Sequence, residues 1–415
     1  MSEKLTVKNV VNINKSTLSA KDNWSTLKYL DTGNITENQI DTLQIFQKGE
    51  KLPSRAKRKV EKGTIIYSTV RPNQKHFGYC DTHSNDLVVS TGFATLDVID
   101  PRINSKYLYY LLTQNSVISQ LQSIGENSTS SYPSIRPEDI GNLSFVFPDI
   151  DIQNKIADIL TSIDKKIQIN NQINQELEAM AKTLYDYWFV QFDFPDQNGN
   201  PYKSSGGKMV YHPELKREIP EGWGVEKLGE LAQFKNGINY EKTSSGSEKV
   251  KIINVRNISS SRIFINQTDL DEIFLENDKS TNFIVNEGMI LITRSGIPGA
   301  TRLVSELEAK TVYSGFIIAS EVNDLIYKNL IFYYLKNVEE VLKNQSAGTI
   351  MKNISQSVLT DMVVSLPPQN LLLKFNSIID NLLEQMKNVQ RQNQELTQLR
   401  DWLLPMLMNG QVKVE

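Results

Sequence analysis

Three side chains able to ligate a metal, His76, Cys80 and His83, fall within eight residues of one another. Imidazole and thiolate suit zinc, but a closed site takes four donors and no fourth is evident nearby. The trio reads as an ordinary loop or a nucleic-acid contact, and no metal is expected. Asp149, Asp151 and Lys155 have the residue types of a nuclease metal site. Their spacing is poor for that role, and acids at a helix start already suit the helix dipole. Gly206-Gly207-Lys208-Met209 lacks both the spacing and the hydroxyl of the phosphate-cradling loop. Leu366-Pro367-Pro368-Gln369 lacks the polar residue that precedes the prolines in an amino-methyltransferase motif. No catalytic residue is assigned.

What the chain offers instead is cations placed where DNA could meet them. Residues 48–62 read KGEKLPSRAKRKVEK, with seven basic residues against Glu50 and Glu61. A solvated loop explains such a run, and so does a phosphate-contacting edge. Arg71 follows an apolar run in Ser68-Thr69-Val70-Arg71-Pro72, and Arg294 follows another in Thr293-Arg294-Ser295-Gly296. Each would put a guanidinium at a strand end, to hold a phosphate or to grip guanine through two hydrogen bonds. A surface salt bridge is the plainer alternative. The candidate DNA-binding residues are Lys57, Arg58, Lys59, Arg71, Lys75, His76, Arg294, Ser295, Arg302 and Lys352.

The elements that must position these residues are repeated. Late in each half, residues match at a constant shift of 219: Asn174-Gln175-Glu176-Leu177 recurs as Asn393-Gln394-Glu395-Leu396, and Ile135, Pro148, Lys155, Ile159 and Leu184 recur as Ile354, Pro367, Lys374, Ile378 and Leu403. A shift held over roughly 50 residues means duplication. Earlier the match weakens and drifts. Lys62-Gly63-Thr64-Ile65-Ile66 resembles Glu287-Gly288-Met289-Ile290-Leu291, Ser90-Thr91-Gly92-Phe93 resembles Tyr313-Ser314-Gly315-Phe316, and Tyr109-Tyr110-Leu111 resembles Tyr333-Tyr334-Leu335. The later half has no His or Cys to match the 76–83 trio. A metal needed for the fold should appear in both copies.

Residues 152–189 contain no Pro or Gly. Apolar positions recur there in steps of three and four, the coiled-coil spacing. The seam so read is Ile156, Ile159, Ile163, Ile167, Asn170, Asn174, Leu177, Ala181, Leu184 and Trp188. The second copy is Phe375, Ile378, Leu382, Met386, Val389, Asn393, Leu396, Arg400, Leu403 and Leu407. Each helix should be about 55–60 Å long at 1.5 Å per residue. The simplest cover for each apolar stripe is the other copy, antiparallel if the halves are related by a pseudo-two-fold. Asn174 and Asn393 occupy matching seam positions, where they either fix register or face solvent. Residues 195–207 read as a flexible or turn-rich connector.

Short apolar runs at 63–70, 87–98, 251–255, 288–293 and 315–322 predict strands; 106–121 and 327–344 predict amphipathic helices. The expected fold is α+β: two globular domains related by a pseudo-two-fold repeat and separated by two long antiparallel coiled-coil helices. The boundaries are 1–150 and 221–368 for the globular domains, 151–190 and 369–409 for the spacer helices, 191–220 for a linker and 410–415 for a tail. A chain of 415 residues can supply several cores. One cysteine, no apolar window of about 18 residues and no secretory leader favour the cytoplasm and exclude a membrane span. A net charge of -3 argues against a stand-alone DNA binder, which is usually basic.

The stretch 188–223, WFVQFDFPDQNGNPYKSSGGKMVYHPELKREIPEGW, together with the twin units of proline followed by a long helix, resembles the specificity (S, HsdS) subunit of type I restriction–modification systems. The resemblance covers nearly the whole chain. It implies two target-recognition domains that each read half of a split, asymmetric DNA site, with the helices setting the gap. It implies double-stranded DNA, two methyltransferase subunits and up to two restriction subunits as partners, or no restriction subunit where the chain serves a solitary methyltransferase. S-adenosylmethionine, ATP and Mg2+ would belong to those partners, with no cofactor on this chain. Arg71 and Arg294 would lie in strand–loop segments typical of the family, and no catalysis would reside here. Two other readings of the residues are a methyltransferase carrying its own recognition domain and a coiled-coil assembly protein that does not bind DNA.

Overall fold

The computed structural model describes residues 4–414 apart from 20, 83–85, 129–130, 241–245 and 346–352. The chain forms two compact units, one of residues 1–168 with 394–415 and one of residues 169–393. Two long helices, Ile150–Tyr185 and Gln369–Met408, each contribute a segment to both units. Among the described residues no helix is long and apolar enough to cross a membrane.

The first unit carries two four-stranded sheets. One runs Val11–Ile13, Phe93–Val98, Ile65–Ser68, Phe77–Tyr79 and is antiparallel throughout. The other runs Gln44–Gln47, Thr26–Leu30, Leu87–Ser90, Ala56–Lys59, with its middle pair parallel. The second unit repeats this plan with Ala232–Asn236, Ile317–Val322, Ile290–Thr293, Thr301–Leu303 and with Asp271–Leu275, Glu248–Ile253, Thr311–Tyr313. The basic edge strand Ala56–Lys59 is the addition peculiar to the first unit among the described residues. The α+β class and mostly antiparallel pairing agree with the sequence reading. The apolar run 87–98 resolves into two strands because Thr91 and Gly92 turn the chain between sheets. The run 106–121 resolves into two helices, Ser105–Leu112 and Asn115–Glu126.

Within each unit the two helix segments pack antiparallel. In the first, Leu403, Leu404 and Leu407 join a core that includes Ile156, Ala157, Leu160 and Tyr107. Arg400, farther from the end of its helix, meets Asp164, farther from the start of the other, at 3.3 Å. In the second, Leu177, Ala181, Tyr185 and Trp188 pack in one core with Phe375, Ile379, Leu382 and Met386. The Phe375 ring stands edge-on to Phe189 at 4.7 Å. Asn393 accepts a hydrogen bond from Asn170 (2.9 Å) and donates one to Asn171 (2.8 Å).

The seam differs from the sequence reading at two places. Ile159 and Ile378 are 36% and 41% exposed, while the next residues, Leu160 and Ile379, are fully buried. A stripe that covers a globular core follows the 3.6-residue period and is wider than a strict coiled-coil seam, so it drifts off the 3.5-residue spacing. Both copies are displaced alike because 159 and 378 are the same position of the repeat. Asn174 and Asn393, matched in the sequence, also differ in their surroundings. An antiparallel pair sets Asn393 against Asn170 and Asn171, and Asn170 repeats as Val389. The Asn174 Oδ1 is accordingly buried without a hydrogen-bond partner among the described residues. Of the remaining seam positions, Ile156, Ile167, Leu177, Leu382 and Met386 are buried, and Ile163, Leu184, Leu396 and Leu403 are half-buried.

The connector is folded. Phe194 stacks on Tyr202 at 4.7 Å, and the Asp193 carboxylate accepts from both the backbone and the hydroxyl of Ser204. Met209–His212 and Arg217–Pro220 then form a hairpin.

Leu160→Ala and Ile379→Ala should each cost about 2–5 kcal/mol by opening a cavity. Ile159→Ala and Ile378→Ala should stay within about 1 kcal/mol. Urea unfolding midpoints decide the matter, and the opposite order would refute the burial described.

Candidate nucleic-acid interface

Equivalent strands enter the candidate site in the two units. Gly63 and Gly288, each in the left-handed region at φ 94° and 82°, turn the chain into Ile65–Ser68 and Ile290–Thr293. The far ends are held by the same backbone hydrogen bonds. Thr69 N donates to Gly92 O (2.9 Å) and Ile135 N donates to Thr69 O (2.8 Å). Arg294 N donates to Phe316 O (2.8 Å) and Ile354 N donates to Arg294 O (2.9 Å). Strand register agrees, because Phe93 pairs with Ser68 as Ile317 pairs with Thr293.

This frame corrects two matches made by letter. Arg294 is the counterpart of Thr69, and Arg71 lies two residues further along its loop. Phe316, and not Gly315, is the counterpart of Gly92. The two guanidinium groups recur at the level of the strand end without being the same position.

In the first unit Arg71 is exposed, with left-handed backbone (φ 47°) and its amide donating to Pro133 O at 2.8 Å. Its guanidinium lies 5.5 Å from the centre of the Tyr132 ring. After the short turn Pro72–Gln74, Lys75 ion-pairs with Glu37 at 2.6 Å. His76 donates from Nδ1 to Ile35 O at 2.6 Å. Arg71, Lys75 and His76 therefore share one loop, but the last two are engaged locally.

Lys57, Arg58 and Lys59 lie on the edge strand Ala56–Lys59. Lys57 is exposed. Arg58 is half-buried, and its Nε has no hydrogen-bond partner among the described residues. Lys59 ion-pairs with Asp22 at 2.7 Å and holds that carboxyl down at about 2.

Of the trio weighed for a metal, His76 and Cys80 are described. Burial pushes the Cys80 thiol up to about 12, away from the thiolate a metal would need. His83 lies outside the described residues, and among those described no group of three or more His, Cys, Asp or Glu side chains could hold a metal ion.

In the second unit Arg294 and Ser295 are half-buried and open a tight loop to Thr301. Gly299 N donates to Thr293 O at 2.9 Å, and Ala300 N donates to Thr293 Oγ1 at 3.0 Å. Ile297 and Phe316 are exposed beside it. Arg302 is a correction to the sequence reading: it is buried, not presented to a ligand. Its guanidinium contacts Glu339 (2.9 Å) and donates to Ser261 O and Thr301 O, each at 2.6 Å. Helix Lys328–Gln345 brings Glu339 to the strand Thr301–Leu303, an adjacency that short-range sequence pattern does not reveal. Lys352 lies outside the described residues. Tyr132 and Phe316 are not among the candidates read from charge and hydrogen-bonding capacity; their signal in the sequence is an aromatic residue in a Ser/Pro or Ser/Gly loop.

Two α+β units with matching sheet frames, different strand-end side chains and long-helix segments completing each core define a duplicated recognition scaffold. A family model described as "Type I restriction modification DNA specificity domain" matches residues 2–179 and 220–398. The chain belongs to that family and carries its domain twice. The Type I restriction enzyme MjaIX specificity subunit of Methanocaldococcus jannaschii is 28% identical over 395 residues, 93% of this chain and 84% of that one. The Type I restriction enzyme HindI specificity subunit of Haemophilus influenzae is 26% identical over 451 residues, covering 92% and 94%. The crystal structure of a type I restriction–modification system S subunit from M. genitalium shares the fold, with a TM-score of 0.53 at 17% identity over 98% of this chain and 95% of that one.

Glu339→Ala should destabilise the chain by about 3–5 kcal/mol, because it strands the buried Arg302 charge. Arg302→Met combined with Glu339→Leu should recover most of that loss in the same urea titration. A cost below about 1 kcal/mol for the single change would contradict the buried pairing.

Proposed function

We propose that this chain is the non-catalytic subunit that sets DNA sequence specificity in a type I restriction–modification enzyme. It reads a bipartite, asymmetric site, one half through residues 1–150 and the other through 221–368. The helices at 151–190 and 369–409 set the gap. The observation that carries this reading is one backbone frame occurring twice with different side chains at its strand ends. Arg71 and Tyr132 stand there in one unit, Arg294 and Phe316 in the other. A shared scaffold with divergent loops is what two different half-sites require. Lys57 and Arg58 serve as phosphate contacts, which position the duplex without reading it, and Lys59 and Lys75 join them on exchanging Asp22 and Glu37 for phosphate.

The partners are double-stranded DNA, two methyltransferase subunits and up to two restriction subunits, in the cytoplasm. S-adenosylmethionine, ATP and Mg2+ reside on those subunits. Support for a docking partner lies on the first long helix. Within the first unit Ile152 and Ile159 are exposed there seven residues apart, and within the second Ile173 and Met180 are, so each pair shares a face. Leu399 and Trp402 are exposed on the second helix. Apolar side chains so aligned suit protein contact. Partners that help hold the duplex also reconcile the net charge of -3 with DNA binding.

The test is the methylation map of DNA from cells expressing the chain with its methyltransferase partner. A split, asymmetric motif is expected. Exchanging residues 1–150 for those of a relative should rewrite one half of it only. Inserting one heptad in both helices should lengthen the unread gap and leave both halves unchanged. A contiguous motif, or a change in both halves after the exchange, would sink the reading. Clear S-adenosylmethionine binding by the isolated chain would favour a methyltransferase instead.

A further inference from the structure

Resting on that reading, we infer that Phe316 is a specificity-determining residue whose ring inserts into the base stack of the half-site read by the second domain.

The ring is 63% exposed, yet its backbone is held on every side. Its carbonyl accepts from Arg294 N (2.8 Å), Gly315 N donates to Ile238 O (2.7 Å), and Ile317 N donates to Ser314 O (2.9 Å). Ser314 and Ile317 are buried. The exposed ring is thus carried on a fixed strand end, so little backbone freedom is lost when it meets a partner.

The fold does not call for an aromatic residue here. The counterpart in the first unit is Gly92, where an added Cβ would come within 2.8 Å of Thr32 Cγ2. A frame that is complete with no side chain at this position in one unit presents a phenyl ring in the other. No aromatic or cationic partner covers that ring among the described residues.

The surroundings match a nucleic acid better than a purely apolar ligand. Arg294 is tied to Phe316 through the backbone and has no ion-pair partner among the described residues. Ile297 is exposed on the loop that Arg294 opens. A guanidinium for phosphate beside apolar groups for base faces is the pairing that wedge-inserting proteins use. The first unit also sets an aromatic at its strand end, but Arg71 lies over the Tyr132 ring. Intrusion into the stack is therefore expected in one half-site and not in the other.

The test uses the full chain with its methyltransferase partner and the duplex carrying the mapped motif. 2-Aminopurine is placed in turn at each position of both half-sites. Apart from the base that the methyltransferase extrudes in each half-site, the expected result is a rise in fluorescence at one step of the second domain's half-site only. Phe316→Ala should abolish that rise and weaken binding about tenfold to hundredfold, the loss of one stacked base. Phe316→Trp should restore both, and Arg294→Ala should weaken binding while keeping the rise at saturation. Unchanged thermal unfolding of Phe316→Ala shows that the fold is intact. If Phe316→Ala binds as the wild type does while Arg294→Ala binds weakly, the inference falls and the reading of function stands. A loss of affinity with no fluorescence rise in the wild type also overturns insertion. If the wild type does not prefer the motif to a scrambled duplex, the reading of function falls and the inference with it.

Discussion

Neither long helix can bury its apolar stripe alone, and each unit's core is closed by helix supplied from a distant part of the chain. Leu403, Leu404 and Leu407 complete the core built around Tyr107 and Leu108, while Leu177, Ala181 and Trp188 complete the one built around Phe332 and Phe375. The sequence repeats as two successive halves, but the cores do not follow those halves. Burial of each residue of that kind contributes about 1.5–3 kcal/mol, so the borrowed segments are a large part of what holds either unit together. A change in one helix is therefore felt in a domain far from it in sequence.

Given closed cores, the strand ends are held chiefly by the backbone. Thr69 and Arg294 are fixed by the same pair of backbone hydrogen bonds, although one is a small hydroxyl residue and the other a long cation. Because main-chain groups do the holding at 294 and 316, those two side chains are released from structural duty, whereas the Thr69 hydroxyl also donates to Gly92 O at 2.9 Å. A scaffold of this kind accommodates a change of recognised sequence through exposed substitutions that leave stability nearly unaltered. Arg302 marks the limit of that freedom. It is cationic and close to the candidate surface in sequence, yet its buried pairing with Glu339 ties it to the core.

The polar groups between the helix segments are unequal in the two copies. Asp164 accepts from the Tyr110 hydroxyl at 2.7 Å and pairs with Arg400 in the first unit. In the second, Asn393 satisfies Asn170 and Asn171, while the Asn174 oxygen is left without a partner among the described residues. Buried polar groups of this type cost stability and constrain register. Here they also distinguish one copy from the other.

Much of this protein was determined by its sequence alone: the duplication, the two long helices, the α+β class, most strands and the absence of a recognisable catalytic motif. All of these rest on local periodicity, on turn-forming residues or on self-similarity, which a linear reading can detect. Tertiary structure decided the rest. It set Leu160 and Ile379 inward in place of Ile159 and Ile378, because the face a helix buries depends on what it packs against. It placed Arg302 in the core, because Glu339 reaches it from another element. It made Arg294 the counterpart of Thr69 and Phe316 that of Gly92, because loops of unequal length hide structural equivalence from letter matching while hydrogen-bond register preserves it.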